Sequence, residues 1–449
     1  MSLFSRKSSG DGPTEAQVLD SMRHIIDPDL GKDIVSLGFI KALKIDGGDV
    51  SFTVELTTPA CPVKEQFRTD CEKAVKKLPG VKSVHVEMSA MERQKRPGSD
   101  INTLTRVDSV IAVSSCKGGV GKSTIAAQLA RQLQREGLRV GLLDTDIYGP
   151  SIPTLFNLHR PQLMMRENML IPAVADGLKL MSLGFVMGDS PAVMRGPMVS
   201  GYVQQILHQT DWGDLDYLIV DMPPGTGDIQ LTLVQQAALD GAIIVTTPHS
   251  LSLVDVSRGI LMFEKVNVPV LGIVENMSYF LCPKCEDKHY IFGRPGKALK
   301  DRFGLNTLAE FPIVDGISSL EGRNAGANLA PVRELADNLH RAVGKSRVAK
   351  SALPIVTAKP GVIHVKWPDG TQSSLPARDV RTSCQCAQCV HEFTGEQILD
   401  PSRISPDIQA KAIEPLGNYA VSIVWNDGHS SGIFTWDHLK EVAGAVAAV

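Results

Sequence analysis

Val110-Ile111-Ala112-Val113-Ser114-Ser115-Cys116-Lys117-Gly118-Gly119-Val120-Gly121-Lys122-Ser123-Thr124 is an apolar run that breaks into a glycine-rich turn and then into a helical pattern carried by Ile125, Leu129 and Leu133. Such a turn between a buried strand and a helix directs successive backbone N–H groups at a phosphate on the helix N-terminus. Gly118, Gly119, Val120, Gly121, Lys122, Ser123 and Thr124 are therefore expected to hold a nucleoside triphosphate. Lys122 would reach its β- and γ-phosphates and Ser123 would ligate Mg2+. The pattern departs from GxxxxGK[ST] at its first position, Cys116. A small side chain fits there provided the backbone keeps a negative φ.

Outward from this stretch, apolar strands alternate with helical patterns over residues 104–345. That alternation predicts a doubly wound, mostly parallel α/β sheet with helices on both faces. The strand at 140–143 runs into Asp144-Thr145-Asp146, and the strand at 217–220 runs into Asp221-Met222-Pro223-Pro224-Gly225-Thr226-Gly227-Asp228. Carboxylates at the C-terminal ends of parallel strands face the ligand crevice. Asp221 suits a water-mediated contact to Mg2+, Asp146 the positioning of an attacking water, Asp144 a place near the metal, and the Gly225 N–H an approach to the γ-phosphate. Capping of a strand end by Asp144, or of a helix by Asp228, is the alternative for those two residues.

The flanks differ in character. Residues 14–90 read as a small α/β domain, with a helix at 15–26, strands at 40–45 and 50–56 joined through Asp46-Gly47-Gly48, a helix at 63–78 and a strand at 81–86. Residues 91–102 and 346–353 read as linkers. Residues 354–449 are rich in strand-like runs, such as 361–367 and 419–425. There Trp367-Pro368-Asp369-Gly370-Thr371 echoes Trp425-Asn426-Asp427-Gly428-His429, which predicts two similar hairpins. The last stretch, 436–449, has helical spacing with Lys440 as its basic residue, and predicts a packed terminal helix.

With 449 residues, two to four domains are expected. A formal net charge of −3 gives no global basic field for nucleic acid or anionic lipid. No apolar run approaches the ~20 residues that span a bilayer, so no membrane insertion is expected. Residues 1–12 lack the apolar core of a secretory signal.

Eight cysteines are present, five of them in two tight clusters, which points to metal or redox chemistry rather than a disulfide framework. Cys282-Pro283-Lys284-Cys285 supplies two thiolates, too few alone for a tetrahedral metal or a four-cysteine cluster. A second copy across a two-fold axis would make four, enough to bridge a [4Fe–4S] cluster. Zinc at the same thiolates and a redox dithiol are the alternatives. Cys384-Gln385-Cys386-Ala387-Gln388-Cys389 supplies three sulfurs and lacks a fourth ligand. Zinc, an iron–sulfur site or free thiols are its readings.

Lys117-Gly118-Gly119-Val120-Gly121-Lys122-Ser123 resembles the deviant, two-lysine phosphate loop of the MinD/ParA/nitrogenase-iron-protein class. The resemblance implies an ATP-sandwich homodimer in which Lys117 reaches the partner's nucleotide, and an adenine-reading role for Asn276. Asp144-Thr145-Asp146-Ile147-Tyr148-Gly149-Pro150-Ser151, Val274-Glu275-Asn276-Met277-Ser278 and the Cys282/Cys285 pair together resemble the Mrp/ApbC/Nbp35 family of iron–sulfur carrier ATPases. Asp27-Pro28-Asp29, Asp33-Ile34-Val35-Ser36-Leu37-Gly38 and Thr57-Thr58-Pro59-Ala60-Cys61-Pro62 resemble a MIP18-like (DUF59) domain, which offers Cys61 as a cluster-handling thiol or a small buried cysteine. The C-terminal CxCxxC, followed by Thr394-Gly395-Glu396-Gln397 and Leu399-Asp400-Pro401, resembles a DUF971 domain, the N-terminal module of γ-butyrobetaine hydroxylase-like proteins. That likeness implies zinc held by Cys384, Cys386, Cys389 and His429, with His391 as rival ligand.

The expectation is an ATPase that carries a [4Fe–4S] cluster at a homodimer interface to apo-proteins, alongside cluster-assembly factors, in bacterial cytoplasm or plastid stroma. Its cofactors would be ATP, Mg2+, the cluster and zinc. The competing readings are a MinD/ParA-like spatial organiser and an electron-donating reductase component.

Overall fold

Thr14 accepts a hydrogen bond from the Gln17 N–H while the Gln17 side chain accepts one from the Thr14 N–H. This capping box starts α1 (Glu15–Met22). The structure, a computed structural model, describes residues 12–447 except 59–62, 91–102, 147–148, 159–160, 162, 188–195, 226–229, 231–232, 235–236, 238, 249, 294–295, 314–328, 352, 369, 387, 391–395 and 417–419. Cys61, Asp228, His391 and the expected linker at 91–102 lie outside the described residues. The chain divides into two units, Met1–Lys345 and Ser346–Val449.

The first unit begins with a small layer of its own. α1 stops four residues short of the expected helix because Asp27 turns the chain, accepting from the Asp29 and Leu30 N–H groups. β1 (Ile40–Asp46) and β2 (Asp49–Leu56) form a hairpin, α2 (Lys64–Lys76) crosses over, and β3 (Ser83–Ala90) returns parallel to β2. Val18, Met22, Phe52, Val54, Phe67 and Val75 fill the space between helices and sheet.

Residues 107–312 form the large sheet, built from β4 (Val107–Ser114), β5 (Val140–Asp144), a short hairpin of β6 (Met165–Arg166) and β7 (Met169–Leu170) beside it, β8 (Ala173–Ala175), β9 (Leu178–Ser182), β10 (Leu215–Asp221), β11 (Gly241–Thr246), β12 (Val270–Leu281), β13 (Lys288–His289) and β14 (Thr307–Pro312). The parallel strands lie in the order β9-β5-β10-β4-β11-β12-β14, with β8 and β13 added antiparallel. Both faces are apolar, as continuous hydrophobic strands require. α3 (Lys122–Arg135) and α9 (Leu329–Ser351) cover one face through Ile125, Leu129, Leu335 and Leu339. After the short α4 (Ile152–Leu155) and α5 (Leu183–Met187), α6 (Gly196–His208) and α7 (Ser250–Lys265) cover the other through Val203, Leu207, Ile260 and Phe263. α8 (Gly296–Phe303) leads into β14. No helix among the described residues is long and apolar enough to cross a membrane.

A further expectation changes. Residues 346–351 belong to α9 instead of a linker, since Arg347-Val348-Ala349-Lys350 supports helix extension as well as any linker. Residues 276–281 continue β12, because Phe280 and Leu281 pair with His289 and Lys288.

The second unit repeats one pattern. β15 (Ile355–Lys359), β16 (Val362–Lys366) and β17 (Gln372–Pro376) form an antiparallel sheet followed by α10 (Ala377–Thr382). β18 (Ala410–Leu416), β19 (Ala420–Trp425) and β20 (Ile433–Thr435) form another, followed by α11 (Trp436–Ala447). The echoed segments close the equivalent turns. The Trp367 N–H donates to Thr371 O and the Trp425 N–H to His429 O, each at 2.8 Å. Gly370 and Gly428 take φ of +86° and +87°, a conformation that costs a side chain about 1–2 kcal/mol. Gly370→Ala and Gly428→Ala are each expected to lower the unfolding free energy of the chain by about that amount in urea titrations.

Candidate functional site

The register of the parallel strands builds the site. Asp221 pairs with Asp144 on one side and Val113 on the other, so the last residues of β10 and β5 stand side by side where β4 enters the glycine-rich loop. The Thr145 N–H and hydroxyl both donate to the Asp221 carbonyl, at 3.0 and 2.8 Å, and fasten the two strand ends together. The loop takes positive φ at Gly119 and Gly121, and Cys116 stays out of that region. Gly121 must be glycine on two counts. Its φ is +84°, and a Cβ there would stand 2.2 Å from Asn276 Nδ2. Val120 and Lys122 are buried, whereas Lys117, Gly118 and Gly119 are exposed. Thr124, in the first turn of α3, is half-buried.

Lys122 Nζ lies 2.5 Å from Asp221 Oδ1 and 3.2 Å from Ser123 Oγ. Asp144 and Asp221 are fully buried, so the pocket holds two carboxylates against one ammonium. Burial pushes both carboxyls up, opposed at Asp221 by Lys122. Asp144, with burial and then the Asp221 charge acting on it, is pushed up to about 7. Asp221 Oδ2 is buried with no hydrogen-bond partner. An orphaned carboxylate oxygen beside Ser123, with surplus negative charge behind it, fits a divalent cation. Asp144 also organises the chain after β5. Its oxygens accept from the Asp146 N–H, the Ile152 N–H and the Ser182 hydroxyl, each at 3.1 Å. Asp146 is half-buried at the end of β5, close enough to Asp221 for its charge to raise that carboxyl.

Two residues expected at the nucleotide contact the phosphate loop itself. The Gly225 N–H, expected to approach a γ-phosphate, donates to the Ser115 carbonyl at 3.0 Å. Asn276 Nδ2 donates to the Val120 carbonyl at 2.9 Å, so this side chain supports the loop backbone. A further contact has no local sequence signal: a Cβ on Gly259 of α7 would stand 2.3 Å from Cys116 Sγ. The loop accepts cysteine at its first position where a helix supplies a glycine opposite.

Beyond Asn276, β12 continues to Leu281, and Cys282 and Cys285 form the turn into β13. Cys282 is half-buried and Cys285 exposed. The Cys282 N–H donates to Asp287 O, and the Glu286 N–H to Cys282 O. The N–H groups of Cys285 and Lys284 point at the Cys282 sulfur and hold its thiol below the usual thiol range.

In the second unit, the segment after α10 and the turn after β19 bring Cys384, Cys386, Cys389 and His429 together, with their ligand atoms all within 4.8 Å of one another. His429 Nε2 lies 3.3, 3.5 and 3.9 Å from the three sulfurs in chain order. Zinc–sulfur bonds of about 2.3 Å and zinc–nitrogen bonds of about 2.0 Å imply sulfur–nitrogen tetrahedral edges of about 3.5 Å, so the set fits one four-coordinate ion. Arg381 Nη1 at 3.5 Å from Cys389 Sγ and Ser431 Oγ at 3.3 Å from Cys386 Sγ supply the outer contacts. Burial pushes Cys384 up to about 12, whereas against burial the Ser431 hydroxyl and neighbouring donors hold Cys386 below the usual range. Burial and then the Arg381 charge lower His429, which favours a neutral, ligating imidazole.

A glycine-rich loop between β4 and α3, with paired aspartates on the adjoining strand ends, defines a P-loop nucleotide-binding protein. Comparison with known families agrees. A model described as the NUBPL iron-transfer P-loop NTPase matches residues 106–345, an iron–sulfur cluster assembly protein model matches 15–88, and a γ-butyrobetaine hydroxylase-like N-terminal model matches 356–440. The chain belongs to the NUBPL iron-transfer P-loop NTPase family. It is 43% identical over 445 residues to the chloroplastic Fe-S cluster assembly factor HCF101 of Arabidopsis thaliana, covering 96% of this chain and 83% of that one. It is 49% identical to the iron–sulfur cluster carrier protein of Synechocystis, over 70% of this chain and 90% of the other. Among solved structures, an Archaeoglobus fulgidus nucleotide-binding protein in complex with ADP is 37% identical over 53% of this chain and 90% of its own, with a TM-score of 0.44.

Two outcomes follow from this geometry. Gly259→Ala is expected to weaken nucleotide binding by about 1 kcal/mol through overpacking, and Cys116→Gly in the same chain to restore most of it; equal losses in the single and double variants would count against the contact. Asp144 keeps its proton to about pH 7 when folded and releases it near 4 when unfolded. The folded chain thus binds more protons between those values, and stability falls as pH rises through them. In EDTA, melting temperatures are expected to drop from about pH 5 to 8, with a shallower drop in Asp144→Asn.

Proposed function

We propose that this chain is an ATP-dependent carrier that binds a [4Fe–4S] cluster between two copies of itself and passes it to apo-proteins. One observation carries the reading: the Cys282/Cys285 pair sits at the accessible end of β12, the strand whose Asn276 touches the phosphate loop. Phosphate loop and thiolates are thus joined through one strand, which gives nucleotide occupancy a route to the geometry of the thiolates. Two accessible thiolates per chain suit a cluster shared across a two-fold axis and later surrendered. The names of the relatives, carrier and assembly factor, point the same way.

Within this reading, Gly118, Gly119, Val120, Gly121 and Thr124 surround the phosphates, Lys122 neutralises them, and Ser123 with Asp221 holds Mg2+. Asp146 orients the water, and exposed Lys117 reaches the partner's nucleotide. Bound Mg2+ would stabilise charge on the transferring phosphoryl group. Cys384, Cys386, Cys389 and His429 hold zinc as a closed structural set. The three-part division at 14–90, 104–345 and 354–449, an assembly role for the first part, and a bacterial cytoplasmic or plastid setting belong to the same proposal. A membrane-directed spatial organiser is disfavoured by α11, whose Leu439 and Val442 pack inward. A reductase is disfavoured because both cluster thiolates come from one turn.

After anaerobic reconstitution, about four irons and four sulfides per dimer are expected. Cys282→Ser/Cys285→Ser should lose them and keep its zinc. Lys122→Ala should abolish ATP turnover. Cluster retained in the double variant would remove the assignment.

A further inference from the structure

The hairpin that carries Cys282 and Cys285 brings a third metal-ligating side chain with it. Phe280 pairs with His289 across β12 and β13, and Leu281 with Lys288. Side chains alternate along each strand, so Phe280, Cys282 and His289 share one face while Tyr279, Leu281 and Lys288 share the other. The contacts agree with that division. Lys288 Nζ lies over the Tyr279 ring at 4.3 Å, and the Tyr290 ring meets Tyr279 at 5.8 Å. The Tyr290 hydroxyl donates to Glu310 at 2.8 Å. Both neighbours of His289 are therefore anchored on the face away from the thiols, which leaves the imidazole on the thiol face. Its ligating nitrogen, Cys282 Sγ and Cys285 Sγ all lie within 4.8 Å of one another.

The turn is shaped for a metal. The Cys282 N–H donates to Asp287 O at 3.0 Å, the Glu286 N–H donates to Cys282 O at 2.9 Å, and Glu286 closes the turn at φ of +59°. The N–H groups of Lys284 and Cys285 are directed at Cys282 Sγ, where they would offset thiolate charge. Two thiolates and an imidazole are the donor set of borderline-soft divalent ions, and three protein ligands leave a fourth tetrahedral position open.

We infer that Cys282, Cys285 and His289 of a single protomer form a three-ligand site for one divalent cation of the Fe2+, Co2+ or Zn2+ type, with its fourth position exchangeable. The site rests on the carrier reading only in sharing its two thiolates. Each chain then holds a metal without its partner, and His289 is the ligand that a bridging four-thiolate cluster leaves over. A carrier built this way keeps its thiolates ligated by a single ion between loads.

Co2+ titration of the anaerobic full-length chain tests this, read by sulfur-to-cobalt charge transfer and d–d bands. Subtracting the spectrum of Cys282→Ser/Cys285→Ser isolates the hairpin from the Cys384–His429 cluster. The difference spectrum is expected to saturate at about one Co2+ per chain with tetrahedral intensity, independent of protein concentration. His289→Ala should weaken binding by about tenfold or more and shift the d–d bands, since loss of even an outer partner of a ligand costs that much. An unchanged melting temperature shows that the hairpin stays folded. An unaltered spectrum and affinity in His289→Ala would overturn the role of His289 while leaving the thiolates in place. One Co2+ per two chains would overturn the single-protomer site in favour of four bridging thiolates. No difference between wild type and Cys282→Ser/Cys285→Ser would overturn the three-ligand site, while the carrier reading stands or falls separately on the iron and sulfide count.

Discussion

Two buried carboxylates share one ammonium at the C-terminal edge of the large sheet, and much of the surrounding structure answers to that imbalance. Asp144 and Asp221 are neighbours by strand register, so their charges cannot separate without breaking the sheet. Lys122 compensates one of them at 2.5 Å. Desolvated like charges cost several kcal/mol unless a proton or a cation intervenes. The phosphate loop, Thr145, Ser123 and the Asp144-bound chain through Ile152 are arranged around this point, and a divalent ion with its nucleotide would complete it. The fold concentrates negative charge where a metal polyphosphate belongs.

From that edge, β12 leads outward. Its first half lies within the parallel sheet, Asn276 props the phosphate loop, and its last residues form one arm of a hairpin that ends in two cysteines. Met277, between the two functions, takes φ of +56°, an uncommon conformation for a non-glycine residue. The register of β12 against β14 is broken over the same residues. The strand is thus continuous in hydrogen bonding toward both sites and irregular between them, which is where a change at one end would be absorbed or transmitted. The second unit solves a different problem. A repeated three-strand-and-helix pattern too small for a large core draws Cys384, Cys389, Trp425 and Phe434 into one cluster, and four ligand atoms converge beside it.

Periodicity along the chain made much of this legible. The strand–loop–helix at Val110–Leu133, the strands ending in Asp144 and Asp221, the N-terminal hairpin and the paired tryptophan turns are all local patterns, and the strands and turns formed where those patterns put them. The shifts in extent, α1 stopping at Met22 and α9 running through 346–351, concern boundaries. There, local preference is weak and the turn that follows, or continuation along a helix, decides.

The sequence by itself determined which chemistry is present: a phosphate-binding loop with a second lysine, carboxylates at strand ends, a two-cysteine turn and a three-cysteine run. Residue type and short-range spacing are enough for that, because each motif is built from consecutive backbone or one turn of helix. Only the tertiary structure decided which groups meet. The Gly225 N–H turns to Ser115, Asn276 to Val120, Cys116 to Gly259 and His429 to three sulfurs, over separations that no local pattern encodes. Strand register and crossover connections set those distances, and they follow from burying both faces of the sheets, a property of the whole chain rather than of any segment within it.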